Sequence, residues 1–165
     1  MPSEYFWMLI LVVALVFPIV GTHRDQPSDA TPVLLGWRDA RRQTLINSCG
    51  PAIISKLASF KDISITELEL MLVADATSTG ITLLEFERLA SAFDWQGTWY
   101  RGRLNDLSNS WWPSTLFMEY EAGHFVLLHY QFEGFALIED PAKGFVIMPT
   151  QDLEENWTGY FYDHR

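Results

Sequence analysis

Near Gly97 the residue pattern of this chain changes character, and the change restricts it to one fold class. Before that point, Thr66-Glu67-Leu68-Glu69 and Thr82-Leu83-Leu84-Glu85 each match a capping box. In that motif a hydroxyl and a carboxylate three residues apart satisfy the first N–H groups of a helix. Thr79-Gly80 punctuates the connection between the two helices. After Gly97 the chain breaks into short aromatic or β-branched runs bounded by Gly, Asn or Pro: Thr98–Arg101, Ser114–Tyr120, His124–Tyr130, Phe135–Ile138 and Phe145–Met148. These are strand signals, and Gln131-Phe132-Glu133-Gly134 suits a hairpin turn between two of them. Helices first and antiparallel strands after predict an α+β domain.

The 165 residues hold one domain around a single core, and 48% hydrophobic with 15% aromatic content provides the material for it. Phe86, Leu89 and Phe93 recur at helical spacing and belong to that core. A net charge of -10 excludes a nucleic-acid partner, which needs a basic surface. Four histidines without ligand spacing and a single cysteine give no metal site, and no glycine-rich phosphate loop is present, so no cofactor is expected.

The domain has a preface. Tyr5 to Gly21 is uncharged and apolar, near the short limit for a membrane-spanning helix. Its amino-terminal flank carries Glu4 and lacks Lys and Arg, and no Ala-x-Ala site follows, which favours an uncleaved anchor over a removed signal. Residues 1–21 are therefore the membrane segment, 22–33 a polar linker with Pro27 and Pro32, and 34–165 the folded domain. Arg24, Arg38, Arg41 and Arg42 follow the segment, and a strict positive-inside reading would hold the domain in the cytoplasm.

The chemistry centres on Cys49. Ser48-Cys49-Gly50-Pro51, followed by Ala52 to Leu57, describes a loop entering a helix over Gly50–Phe60, because proline is tolerated in a first helical turn. A thiol there meets the positive end of a helix dipole, which stabilises a thiolate. His124 begins a strand after Gly123, which leaves room for substrate backbone. Strand alternation puts His124, Val126 and Leu128 on one face and His129 on the other. The step from His124 to Asp140 allows one hairpin, returning Asp140 beside the histidine while Glu139 points to the opposite side. A lone cysteine is more often core, a lone strand histidine structural, and Asp-Pro a turn; Trp111-Trp112-Pro113 is read as core or rim packing.

The segments Arg42-Gln43 to Pro51, Gly123-His124-Phe125-Val126-Leu127-Leu128 and Asp140-Pro141-Ala142-Lys143-Gly144 together resemble the C39 peptidases, and Trp157-Thr158-Gly159 resembles that family's ending. Those are papain-like cysteine proteases that trim double-glycine leaders. The resemblance implies Cys49 as nucleophile, His124 as general base and acid, Asp140 as the residue orienting it, and Gln43 as oxyanion-hole donor. It also implies a polypeptide substrate with a Gly-Gly-like cleavage site and a secretion or export system as partner. Relatives with a similar amino-terminal segment place the domain on the periplasmic side of the inner membrane. Two alternatives keep part of this constellation: a phytochelatin-synthase-like acyltransferase, with the same Cys, His and Asp, and a leader-binding module without catalysis.

Overall fold

A computed structural model describes residues 31–164 except 38, 75–79, 110–112 and 121. The apolar segment, the linker up to residue 30, Arg38, Thr79 and Trp111-Trp112 lie outside the described residues. Among the described residues, no helix is long and apolar enough to cross a membrane.

The elements run β1 (Val33–Gly36), α1 (Cys49–Ser59), α2 (Glu67–Val73), α3 (Leu83–Ala92), β2 (Gly97–Arg101), a short 3₁₀ helix (Leu104–Asn109), β3 (Ser114–Met118), β4 (His124–Phe132), β5 (Phe135–Asp140), β6 (Gly144–Pro149), α4 (Thr150–Asn156) and β7 (Trp157–His164). The α+β order expected from the sequence is present with two departures: β1, which begins at Val33 in the expected linker, precedes the helices, and α4 interrupts the strands between β6 and β7. The strands form one antiparallel sheet in the order β1-β6-β5-β4-β3-β7-β2. Both faces of the sheet are covered, which explains why β4 reads as a continuous apolar run. Phe125 and Leu127 pack under α1 to α3 with Ile53, Leu57, Phe86 and Tyr162. Val126 and Leu128 face the other way, with Leu116, Ile138, Leu153 and Trp157.

Local chemistry sets the element ends. Thr66 and Glu69 close the complete capping box at the start of α2, and Thr82 accepts the Glu85 N–H at the start of α3. Phe132 pairs with Phe135, and the two residues between, Glu133 and Gly134, both have positive φ (40° and 83°). This is the backbone twist that a two-residue hairpin requires. Phe86 is fully buried and touches three rings: Phe125 stacked at 5.0 Å, Trp99 edge-on at 5.3 Å and Tyr162 edge-on at 5.4 Å. The polar tips of that cluster are satisfied, Trp99 Nε1 donating to Leu83 O at 2.8 Å and Tyr162 Oη to Trp95 O at 2.7 Å.

Candidate active site

Cys49 opens α1 and is buried. The first bond of the helix runs from the Ala52 N–H to Ser48 O at 2.9 Å, so the Cys49 and Gly50 N–H groups precede it, at the positive end of the dipole. No acidic residue occupies that first turn to compete for it. The Ser48 hydroxyl does not cap the helix; it accepts the Leu45 N–H and donates to Leu45 O, closing the loop before the cysteine. Glycine at position 50 permits close packing: a Cβ there would lie 2.7 Å from the Ile81 side chain and 3.2 Å from Phe125. The start of α1 thus sits over the start of β4.

His124 is the first residue of β4, and β5 returns beside it with Leu127 opposite Glu139. That register makes Asp140 a diagonal neighbour of His124, within reach across the ladder. His124 Nε2 donates to Asp140 Oδ1 at 2.8 Å, which also accepts the Ala142 N–H at 2.8 Å; Lys143 Nζ lies 3.4 Å from Oδ2. With Nε2 committed, Nδ1 is the ring nitrogen left for Cys49, whose side chain acts with Asp140 to favour the protonated ring. Gly123 also packs tightly on a neighbour within the fold. Its φ is +74° and a Cβ would stand 2.3 Å from the Phe117 ring, so Phe117 already requires glycine there.

The electrostatics follow from the geometry. Burial alone would lower the His124 value, but hydrogen bonds and charge from Asp140 and Cys49 outweigh it and raise it from 6.5 to about 9. Burial would raise Asp140, but the His124 hydrogen bond and charge, the Ala142 N–H and Lys143 hold its carboxyl below the ordinary value. The imidazole is therefore cationic and the carboxylate anionic across neutral pH.

Glu139 and His129 turn to the opposite face, as alternation predicts. His129 Nε2 meets Glu139 Oε2 at 2.8 Å, while His124 takes Asp140. A bulge between Leu128 and Tyr130 interrupts the pattern beyond that point.

Gln43 lies on the segment leading to Cys49. Its N–H donates to Pro141 O at 2.8 Å, directly after Asp140. Its side-chain Nε2 donates to Leu45 O at 2.8 Å, with Ile46 O at 3.4 Å, and its Oε1 is buried without a hydrogen-bond partner among the described residues. The strap that carries Gln43 has two buried anchors that sequence reasoning missed, Glu67 and Glu139. Glu67 looks like an ordinary first-turn helix charge and Glu139 like a strand-end charge, so neither gives a local signal of burial.

Beside Asp140, on the α4 side of the sheet, lies a cavity of about 210 Å³. Met118, Tyr120, Val126, Ile138, Val146 and Met148 give it apolar walls, with Lys143 and Asp152 also lining it. Among the described residues no group of His, Cys, Asp and Glu is arranged to hold a metal ion.

A buried thiol at a helix start, facing a strand imidazole that is held by a carboxylate, defines the class of thiol-dependent hydrolases and acyltransferases. Comparison with known proteins narrows it. The peptidase C39 family model matches residues 38–162, and the chain belongs to that family; it is a cysteine peptidase. It is 25% identical over 115 residues to a putative ABC transporter ATP-binding protein of Mycoplasma pneumoniae, and 28% identical to the Mycoplasma genitalium counterpart. The matched region is 69% of this chain but only 17% of those relatives' length. The fold matches a double glycine motif protease from an AMS/PCAT transporter, solved in complex with the leader peptide (TM-score 0.69, 21% identity, 81% of this chain and 98% of that one). It also matches the peptidase domain of Streptococcus ComA, a bi-functional ABC transporter involved in quorum sensing (TM-score 0.70, 16% identity, 76% and 98%).

Proposed function

We propose that this chain cuts an exported or secreted polypeptide after a Gly-Gly-type site, with Cys49 as nucleophile, His124 as general base and acid, and Asp140 as its orienter. The observation that carries this reading is the 2.8 Å bond from His124 Nε2 to Asp140 Oδ1, which leaves Nδ1 as the ring nitrogen available to the Cys49 thiol at the start of α1. The Cys49 thiolate adds to the scissile carbonyl carbon, and the C=O electron pair moves onto oxygen. That oxyanion lies toward the Cys49 backbone N–H, and the Gln43 amide joins as a second donor by turning from Leu45 O. It collapses as the C–N bond breaks and His124 gives its proton to the departing amine. Water then adds to the acyl-enzyme with His124 as base, releasing the carboxylate product and restoring the thiol.

The substrate class rests on the leader peptide bound to the structurally similar double glycine motif protease. A narrow approach to Cys49 that only glycine enters would give that selectivity, and the apolar cavity beside Asp140 suits an apolar side chain of the same substrate. The apolar run Tyr5–Gly21 would tether the domain to the bacterial inner membrane, with the domain on its periplasmic side, near an export system.

The test is cleavage of a peptide panel with Gly-Gly, Gly-Ala and Leu-Leu centres, followed by mass spectrometry, with hydroxylamine or a free amine as competing acceptor. A new carboxyl terminus after Gly-Gly, absent with Cys49→Ala, supports the reading. Transfer to the amine in preference to water would make the chain an acyltransferase. Undiminished function of Cys49→Ala in export would make it a binding module.

A further inference from the structure

The segment Arg41–Thr44 has neither helix nor strand to hold it, yet it must place Gln43. Its backbone is fixed instead by side chains from two distant elements. The Arg41 N–H donates to Glu139 Oε1 at 2.5 Å, two residues before Gln43. The Thr44 N–H donates to both Glu67 oxygens at 2.9 and 3.1 Å, one residue after it, and the Thr44 hydroxyl adds a 3.1 Å bond to Oε1. Glu139 is 0% exposed and Glu67 is 6% exposed. A carboxylate buried to that degree is costly unless charge and N–H donors compensate it. Glu139 has such compensation in His129 Nε2 at 2.8 Å and Lys56 Nζ at 3.7 Å. Lys56 in turn donates to Asp39 O at 2.7 Å, so the helix that begins with Cys49 also grips the strap.

These bonds tie the strap to the elements that carry Cys49 and Asp140. Lys56 belongs to α1 with Cys49, and Glu139 precedes Asp140 on β5, while the Gln43 N–H itself rests on Pro141 O. We infer that Glu67 and Glu139 are positioning residues, a pair of buried carboxylates that brackets Gln43 and fixes the backbone from which its amide, held on Leu45 O at 2.8 Å, turns to Cys49 for oxyanion stabilisation. The inference rests on the reading of Gln43 as an oxyanion donor. Neither carboxylate touches the reacting atoms. Each acts through the backbone, and a displacement of about 1 Å in such a donor is enough to cost up to a hundredfold in rate.

Two probes separate this role from structural support. Iodoacetamide alkylates a thiolate by displacing iodide at a saturated carbon, and no oxyanion develops. An acyl-Gly-Gly p-nitrophenyl ester acylates it: the S–C bond forms, the carbonyl pair moves to oxygen, and p-nitrophenolate leaves as the carbonyl re-forms. Both rates are measured on the full chain and on Gln43→Ala, Glu67→Gln and Glu139→Gln, singly and with Gln43→Ala in combination. Gln43→Ala should slow the ester about a hundredfold or more. Glu67→Gln and Glu139→Gln should each slow it by about ten- to a hundredfold, and should add little to Gln43→Ala. The iodoacetamide rate and its pH profile should stay within about twofold in all of them, since the His124–Asp140 bond is untouched.

Proportional loss with both probes would make the carboxylates merely structural and overturn the inference. An unchanged ester rate in both glutamine variants, with Gln43→Ala slow, would overturn it while leaving the Gln43 reading intact. An unchanged ester rate in Gln43→Ala would sink that reading and the inference with it. If either glutamine variant does not fold, Lys56→Met, which releases Asp39 O, is expected to show the same selective loss of about tenfold, and a normal ester rate there would count against the inference.

Discussion

Glu139 and Asp140 are neighbours on β5 that turn their carboxylates to opposite faces of the sheet, Asp140 to His124 and Glu139 to His129 and Lys56. One strand end therefore serves both halves of the candidate site: the His124–Asp140 pair on one face and the strap carrying Gln43 on the other. The pleat of a strand enforces this division, because adjacent side chains must diverge.

The first consequence concerns the imidazole. Asp140 and Cys49 together raise the His124 value to about 9 against the lowering effect of burial. Asp140→Asn removes the main raising partner, so burial then dominates and the value should fall well below 9, which histidine Cε1–H chemical shifts will report. A value that stays near 9 in Asp140→Asn would assign the shift elsewhere.

Stability should depend on pH with a definite sign. A histidine raised from 6.5 to about 9 stabilises the fold in full below 6.5, and that contribution is lost as pH rises through about 9. Asp140 is lowered, so its contribution is present above its ordinary value of 3.8 and is lost as pH falls through the folded value. Melting temperature should drop on both sides of that window, and His124→Ala should flatten the alkaline side.

Gly123→Ala should disable the enzyme without touching a reacting group. A Cβ there would stand 2.3 Å from the Phe117 ring, at a φ of +74°. The strain destabilises by about 1–3 kcal/mol and displaces His124, the next residue. Gly123→Ala with Phe117→Leu should recover part of the melting temperature; no recovery would locate the cost in φ alone.

Removing Phe86 should be the most damaging core change. Phe86→Ala opens a cavity among Phe125, Trp99 and Tyr162 and should cost about 3–5 kcal/mol in urea denaturation. A loss below about 1 kcal/mol would mean the cluster repacks.

Much of this fold is legible in local sequence because its elements carry local signatures. The Thr66–Glu69 box, the Glu133-Gly134 turn and the β-branched runs each announce an element at short range. The position of β7 is not announced. It inserts between β3 and β2 through pairings such as Leu116 with Phe161 and Tyr100 with Phe161, which no short-range pattern encodes. Gly159, with φ +83°, lies in that strand and beside a bulge in its pairing with β3, so the strand does not read as a clean run. α4 escapes for the opposite reason: Leu153 is its one buried residue, too few for a helical stripe. At the site, turn chemistry, alternation and one hairpin indicate where Cys49, His124 and Asp140 lie, while their roles come from the family resemblance alone. Glu67 and Glu139 are invisible because the groups they bind, Thr44 for the one and Arg41, Lys56 and His129 for the other, lie far from them along the chain.

The most direct test of the site is the rate of Cys49 alkylation by iodoacetamide from about pH 4 to about pH 9, in the full chain and in His124→Ala. Alkylation should be fast, persist at about pH 5 and be lost in the histidine variant, the signature of a thiolate paired with an imidazolium. A single titration near about pH 8.5, identical in both proteins, would be the behaviour of an ordinary thiol and would contradict it.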